Sequence, residues 1–284
     1  MKLAFNNLKT KINQILLFFR KYISTGFEKC KECLSKRRIL RPVWFIPGTL
    51  FLVLLILILF VWCSLPDIDR LKQQNPEETA MMRYQAEKFV AKGQPVKKRH
   101  RWVRLSRISP YLIHAVLIAE DDKFYQHQGF DWESINLALE KNLDQKRIVR
   151  GGSTITQQVA KNLYLEPTRN PIRKIREALI AYQLERKLTK KRILEIYLNI
   201  IEWGRGIYGA EAAAKYYYGK SARQLNYAES IRLASILPNP RRFSPVSNKS
   251  RRMNYKRRLI ASRMLRRGII SQPDYDAFLA DLQN

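Results

Sequence analysis

Between Pro42 and Leu65 there is no charged residue, and the centre of that run reads Phe-Leu-Val-Leu-Leu-Ile-Leu-Ile-Leu-Phe-Val-Trp (Phe51 to Trp62). About 20 apolar residues in helical form cross a ~30 Å hydrocarbon layer. A single transmembrane helix over 42–65 is therefore expected, with Trp44 and Trp62 near its ends as interfacial anchors. A buried core helix fits poorly, because the run has no polar face. A cleaved leader fits poorly too, because the run begins some 40 residues in and no small-x-small site follows it. The rest of the chain is set by this segment. It separates a short tail, 1–41, from an extracytoplasmic domain, 66–284, large enough for its own core.

Charge orients the span. The tail carries eleven Lys and Arg against Glu28 and Glu32, whereas the far flank opens Pro66-Asp67-Ile68-Asp69. The basic side is expected to stay in the cytoplasm, which puts the large domain of a single-pass protein outside. Of the formal charge of +29, +20 then lies beyond the span. A basic domain outside the membrane is not placed to bind nucleic acid, and its polyanion is expected to be a lipid phosphate. The three cysteines, Cys30, Cys33 and Cys63, all precede that domain. Cys30-x-x-Cys33 is half a zinc site with no His nearby and reads as reduced cytosolic thiols. Ile12, Ile15, Leu16 and Phe19 cluster at helical spacing in the tail, as in a membrane-surface helix.

Beyond residue 66 the pattern is mainly helical. Helices are expected from Pro76 to Val90, Leu112 to Ala119, Glu133 to Asn142, Pro171 to Lys187, Thr189 to Asn199 and Ala210 to Tyr217. A further helix is expected behind the Asn226-x-x-Glu229 capping box, with two more over 250–267 and 273–282. Another follows Gly151-Gly152, with Ser153 as its cap. There Ile155, Val159 and Leu163 form an apolar stripe, and Thr154, Gln157, Gln158 and Lys161 form the opposite face. Gly204, Gly206 and Gly209 read as breaks.

Three blocks could carry chemistry. Glu120 leaves an apolar helix as it ends, with Asp121 and Asp122 beside it; partial desolvation and neighbouring charge suit a carboxylate to general-base work. Three acids where the helix dipole disfavours them point to use. The Gly-Gly turn into a capped helix presents donors that suit an anion or a sugar, though an ordinary amphipathic helix has the same pattern. In the third block Arg169, Arg173 and Arg176 surround Glu177. This is either a set of surface ion pairs or a cationic wall for a diphosphate.

These blocks resemble the peptidoglycan glycosyltransferases of family 51. The resemblance rests on Glu-Asp-x-x-Phe-x-x-His-x-Gly-x-Asp (Glu120 to Asp131), Gly-Gly-Ser-Thr-Ile-Thr-Gln-Gln (Gly151 to Gln158) and Arg-Lys-x-x-Glu (Arg173 to Glu177). It continues through Ile-Leu-Glu-x-Tyr-Leu-Asn (Ile193 to Asn199), Gly206 to Ala214 and Leu237-Pro238-Asn239-Pro240. It implies a lysozyme-like α fold with a small membrane-proximal lobe, and polymerisation of lipid II with release of undecaprenyl diphosphate. By matching positions, Glu120 takes the proton from the acceptor 4-hydroxyl, which attacks C1 of the lipid-linked strand with inversion. Lys161, Arg169 and Arg176 neutralise the departing diphosphate, and Glu177 orients that wall or assists. Ser153, Gln157, Gln158 and Asn162 line the sugar cleft. Arg176 stands where relatives often carry Lys, which keeps the charge and changes the donor geometry.

No Ser has Lys three residues on, so the monofunctional type is expected, without a transpeptidase site. No cofactor or metal site is implied, with a divalent cation left open. The expected partners are lipid II, the growing lipid-linked strand, the membrane and other cell-wall synthesis proteins. Two rival readings are a degradative enzyme of similar fold and a non-catalytic scaffold. The first has no diphosphate to bind and no use for the cation cluster. The second has no use for Glu120 and Glu177.

Overall fold

The computed structural model describes residues 48–53, 55–56, 65–144, 152–168, 170–247 and 250–283. The tail, its two cysteines and its apolar cluster, most of the 42–65 run, Gly151 and Arg169 lie outside the described residues. The chain divides into two units, Met1–Ser64 and Leu65–Asn284. In the first, 48–53 and 55–56 are helical. Among the described residues no helix is long and apolar enough to cross a membrane.

The second unit is mainly helical. It opens with α1 (Ala80–Val90), β1 (Arg99–His100), α2 (Pro110–Glu120), α3 (Trp132–Asp144), α4 (Ile155–Tyr164), α5 (Pro171–Lys187) and α6 (Lys190–Ile200). Then come β2 (Glu202–Gly204), β3 (Ile207–Tyr208), α7 (Ala210–Tyr218), α8 (Tyr227–Ile236), α9 (Arg251–Arg266) and α10 (Gln272–Asp281). Local chemistry sets most boundaries. α1 begins at Ala80 rather than at Pro76, because Thr79 is its cap: its hydroxyl accepts from the Met82 N–H at 3.1 Å. Asn170 caps α5 through its side-chain oxygen, with Pro171 at the first helical position. Asn226 and Glu229 form the reciprocal box that starts α8. Thr154, not Ser153, caps α4.

Two helix groups share one apolar core. α2 is buried through Leu112, Ala115, Val116, Leu117 and Ile118 and packs on α8 and α9. α4 packs on α5, α6 and α1. Nearly every side chain of α2 and of α6 that faces inward is aliphatic, so burial rather than helix propensity holds them.

The glycine breaks turn out to bracket a small sheet of order β1-β3-β2. β1 runs parallel to β3, and β2 antiparallel to it with a bulge between Glu202 and Gly204. Strands of two or three residues are too short for an alternating pattern to show. Gly209 passes β3 into α7 at φ +83°, and a Cβ there would lie 2.6 Å from the Asn199 carbonyl oxygen. No other residue fits that crossing.

Candidate active site

α2 and α4 are tied end to start. Asp121, the residue after α2, is buried, and its Oδ2 accepts the Ile155 N–H at 2.9 Å. That N–H belongs to the first turn of α4 and has no partner within its own helix. His127 Nε2 lies 2.9 Å from the other oxygen of the same carboxylate. Asp122 turns the other way, to Arg267 at 2.7 Å and Arg263 at 3.6 Å. The two acids expected to act on Glu120 are therefore each engaged by partners of their own.

Glu120 itself projects into a cavity of about 530 Å³, with Ser153, Lys256, Leu259 and Arg263 among its walls. Its carboxylate is mostly shielded, with 14% of the side chain exposed, and both oxygens have donors. Gln158 Nε2 donates to Oε2 at 3.1 Å, and Lys256 Nζ donates to Oε1 at 3.3 Å. Gln158 is held in turn: the Tyr197 hydroxyl donates to its Oε1 at 3.2 Å. Tyr197 is buried, and burial, then the Glu120 and Asp121 charges, pushes its phenol well above the usual range. It stays a donor at any physiological pH.

The cations gather at α5 and on the adjoining face of α4. Glu177 is buried, and it is bridged by Arg173 at 3.2 Å and by Lys174. Arg173 also donates through Nε to the Thr168 carbonyl at 2.9 Å. Arg173 and Arg176 line a second, smaller cavity of about 310 Å³ together with Tyr164, Glu166 and Thr168. Lys161 is half-buried. Burial pulls its ammonium below the usual lysine range; Glu177 and Glu120 oppose that pull, and Lys174 and Arg173 add to it. Lys161 is thus electrostatically linked to both Glu177 and Glu120.

Of the residues expected in the site, the structure brings Glu120 and Ser153 to the first cavity, with Gln158 hydrogen-bonded to Glu120 behind it, and Arg173 and Arg176 to the second. Lys161 and Glu177 join the cation cluster. Gln157 goes elsewhere: its side-chain oxygen accepts the Thr154 N–H at 3.0 Å, completing a buried capping box. It holds up the start of α4. Asn162 also differs, since its Nδ2 donates to the Gln158 carbonyl at 2.7 Å within α4. The polar face expected on α4 is only partly solvated: Thr154 and Gln157 are buried, whereas Gln158 and Lys161 are half-buried. Sequence reasoning missed Lys256, Lys174 and Tyr197. Lys174, three residues ahead of Glu177, was visible as a helical pair. Lys256 was hidden among the many cations of α9, and Tyr197 among the apolar residues of α6. Among the described residues no group of three His, Cys, Asp or Glu is placed to hold a metal ion.

A family model described as Transglycosylase matches residues 86–265, more than half of the chain. The chain belongs to the transglycosylase family. The match runs from α1 to the last turn of α9 and so contains Glu120, Gln158, Glu177 and Lys256. The "Biosynthetic peptidoglycan transglycosylase" of Methylobacillus flagellatus is 46% identical over 215 residues, covering 76% of this chain and 93% of the relative. That of Laribacter hongkongensis is 45% identical over 221 residues, covering 78% and 96%. That of Aromatoleum aromaticum is 52% identical over 169 residues, covering 60% and 74%. Penicillin-Binding Protein 1A from Haemophilus influenzae, a solved structure, is similar at 26% identity and a TM-score of 0.37, over 64% of this chain and 17% of that one.

Proposed function

We propose that this transglycosylase polymerises lipid II into peptidoglycan strands at the outer face of the inner membrane, with undecaprenyl diphosphate as the leaving group. The observation that carries the reading is the Glu120 carboxylate, shielded in a cavity with a donor on each oxygen. The second lone pair of either oxygen remains for an incoming hydroxyl. Glu120 takes the proton of the acceptor 4-hydroxyl as that oxygen attacks C1 of the lipid-linked strand from the opposite side. The C1–oxygen bond to the diphosphate breaks, and the electron pair leaves with the phosphate. Lys161, Arg169, Arg173 and Arg176 receive that charge, with Glu177 keeping Arg173 and Lys174 in place. Ser153 borders the cavity that takes the sugars, and Gln158 supports Glu120 there. Preplaced cations at a developing phosphate charge are where such a catalyst gains most. The membrane part of the reading rests on the apolar run and the charge asymmetry that flanks it.

The test is conversion of purified, detergent-solubilised protein and lipid II to polymer. Glu120→Gln is expected to fold and to lose at least ~10²-fold in turnover, the usual contribution of a positioned base. Turnover near wild type in that variant removes the assignment. Cleavage of finished glycan in place of polymerisation would identify a degradative enzyme.

A further inference from the structure

Three links of one chain meet at Glu120: Tyr197 O–H to Gln158 Oε1, Gln158 Nε2–H to Glu120 Oε2, and Lys256 Nζ to Glu120 Oε1. A side-chain amide has two nearly isosteric ends, and only the N–H end is compatible with a carboxylate that accepts alone. Something must hold that amide in place against the carboxylate. Its backbone does not, since the helix fixes Cα and leaves the terminal amide torsion broad. Tyr197 is the group placed to do it. It comes from a different helix, α6, where only 1% of it is exposed, so its hydroxyl has little freedom to move away. Residues on either side of it, Ile196 and Leu198, are buried in the core and hold the ring there.

We infer that Tyr197 is a positioning residue for the transfer reaction, acting through Gln158 to aim the Glu120 carboxylate at the acceptor hydroxyl. The inference rests on Glu120 being the base. Tyr197 touches no substrate. Its hydroxyl donates to Gln158 Oε1 and anchors the amide, whose N–H end faces the acceptor-only carboxylate and supports its charge. Without that anchor the amide is free to swing away and leave Glu120 Oε2 without its donor. The charged and titratable groups around Glu120 are Lys256 from α9, Lys161 from α4, Tyr197 from α6, Asp121 beside it in the chain, and Lys123, Asp131 and Glu133 on the walls of the same cavity. Arg263, in the same cavity, is held by Asp122. Removing the Tyr197 hydroxyl changes none of the cations, so its effect on the acid side of the rate profile reads the amide alone.

The experiment is a double-mutant cycle on lipid II polymerisation, with kcat and KM measured across pH for Tyr197→Phe, Gln158→Met and the pair. Tyr197→Phe keeps the ring and is expected to lower kcat about five- to tenfold, the worth of one neutral hydrogen bond, with KM unchanged. The acid limb of its kcat profile moves to higher pH, because the carboxylate has lost support for its charged form. In the Gln158→Met background the same substitution costs nothing further. An equal cost of Tyr197→Phe in both backgrounds, or an acid limb that stays in place, overturns the inference. If Tyr197→Phe does not fold, fluorotyrosine at 197, which keeps the ring and alters the hydroxyl, decides: a change in kcat that vanishes in the Gln158→Met background supports the role, and an equal change in both removes it. Glu120→Gln is run beside them. Full activity there would dismiss the base itself, a failure separate from a missing link between Tyr197 and Gln158 with Glu120 still essential.

Discussion

A single ammonium group shows how chemistry and stability pull apart in this protein. Burial depresses the Lys161 ammonium, so the folded state holds that proton less tightly than the unfolded chain does. The sign follows by linkage. A lysine depressed by folding costs stability at neutral pH, and the cost fades as pH rises into the alkaline range where both states lose the proton. Under the proposed function the compensating role is to receive charge from the leaving diphosphate. Lys161→Met is therefore expected to melt no lower than wild type and to flatten the rise in stability towards alkaline pH. The same variant should lose ~10–200-fold in turnover, because a charge-assisted contact to an anion is worth ~1.5–3 kcal/mol. Calorimetry and the lipid II assay on one preparation check both halves. A lower midpoint with turnover intact would make Lys161 a structural residue. Arg257 shows the opposite case. It is fully buried in α9 and donates to the Ser244, Pro245 and Ser247 carbonyls. Burial holds it down at about 10, yet its donors are spent on the fold and none reaches the cavity.

At the level of the element, two adjacent glutamines divide the labour of α4. Gln157 points back into the cap and Gln158 points out to Glu120. One helical step of about 100° separates them, and that is enough to send one side chain to the start of the helix and the other to the cavity. Gln157→Ala should lower stability by ~1 kcal/mol, the value of a lost cap partner, with turnover within a few-fold of wild type. Gln158→Ala should do the reverse. Thermal melts and initial rates for the pair check this, and equal effects of the two on rate would return Gln157 to the site. Thr154→Ala should cost more than Gln157→Ala, because the Thr154 hydroxyl also donates to the Gly129 carbonyl at 2.6 Å and so ties α4 to the loop after α2. The helices themselves were legible because their caps and apolar stripes are local signals. The sheet was not, because its three strands are held by pairing partners up to about a hundred residues away, as Arg99 is by Ile207.

For the whole molecule the expected arrangement is a basic tail inside, one span, and the catalytic unit outside. Protease added to spheroplasts should digest residues beyond the span and spare a tag at the N-terminus; the opposite pattern would reverse the topology. The sequence by itself determined the helical class and the family, and it raised the membrane reading and nominated Glu120, Glu177 and Lys161 as site residues. Each of these is written in residues close together in the chain: an apolar run, a helical period, a motif of eight to twelve positions. Only the tertiary structure decided which polar groups face the cavity. Lys256 lies 136 positions from Glu120 and Tyr197 lies 39 from Gln158, and nothing in the spacing of either pair announces the contact. Gln157 and Asn162 fit the motif as cleft residues, and the fold shows each also bonded to a backbone group of α4 or its cap, Gln157 through its oxygen and Asn162 through one N–H. A buried N–H or C=O must find a partner wherever the fold leaves it. Which side chains are left for substrate is thus known only once every such group in the packed molecule has been satisfied.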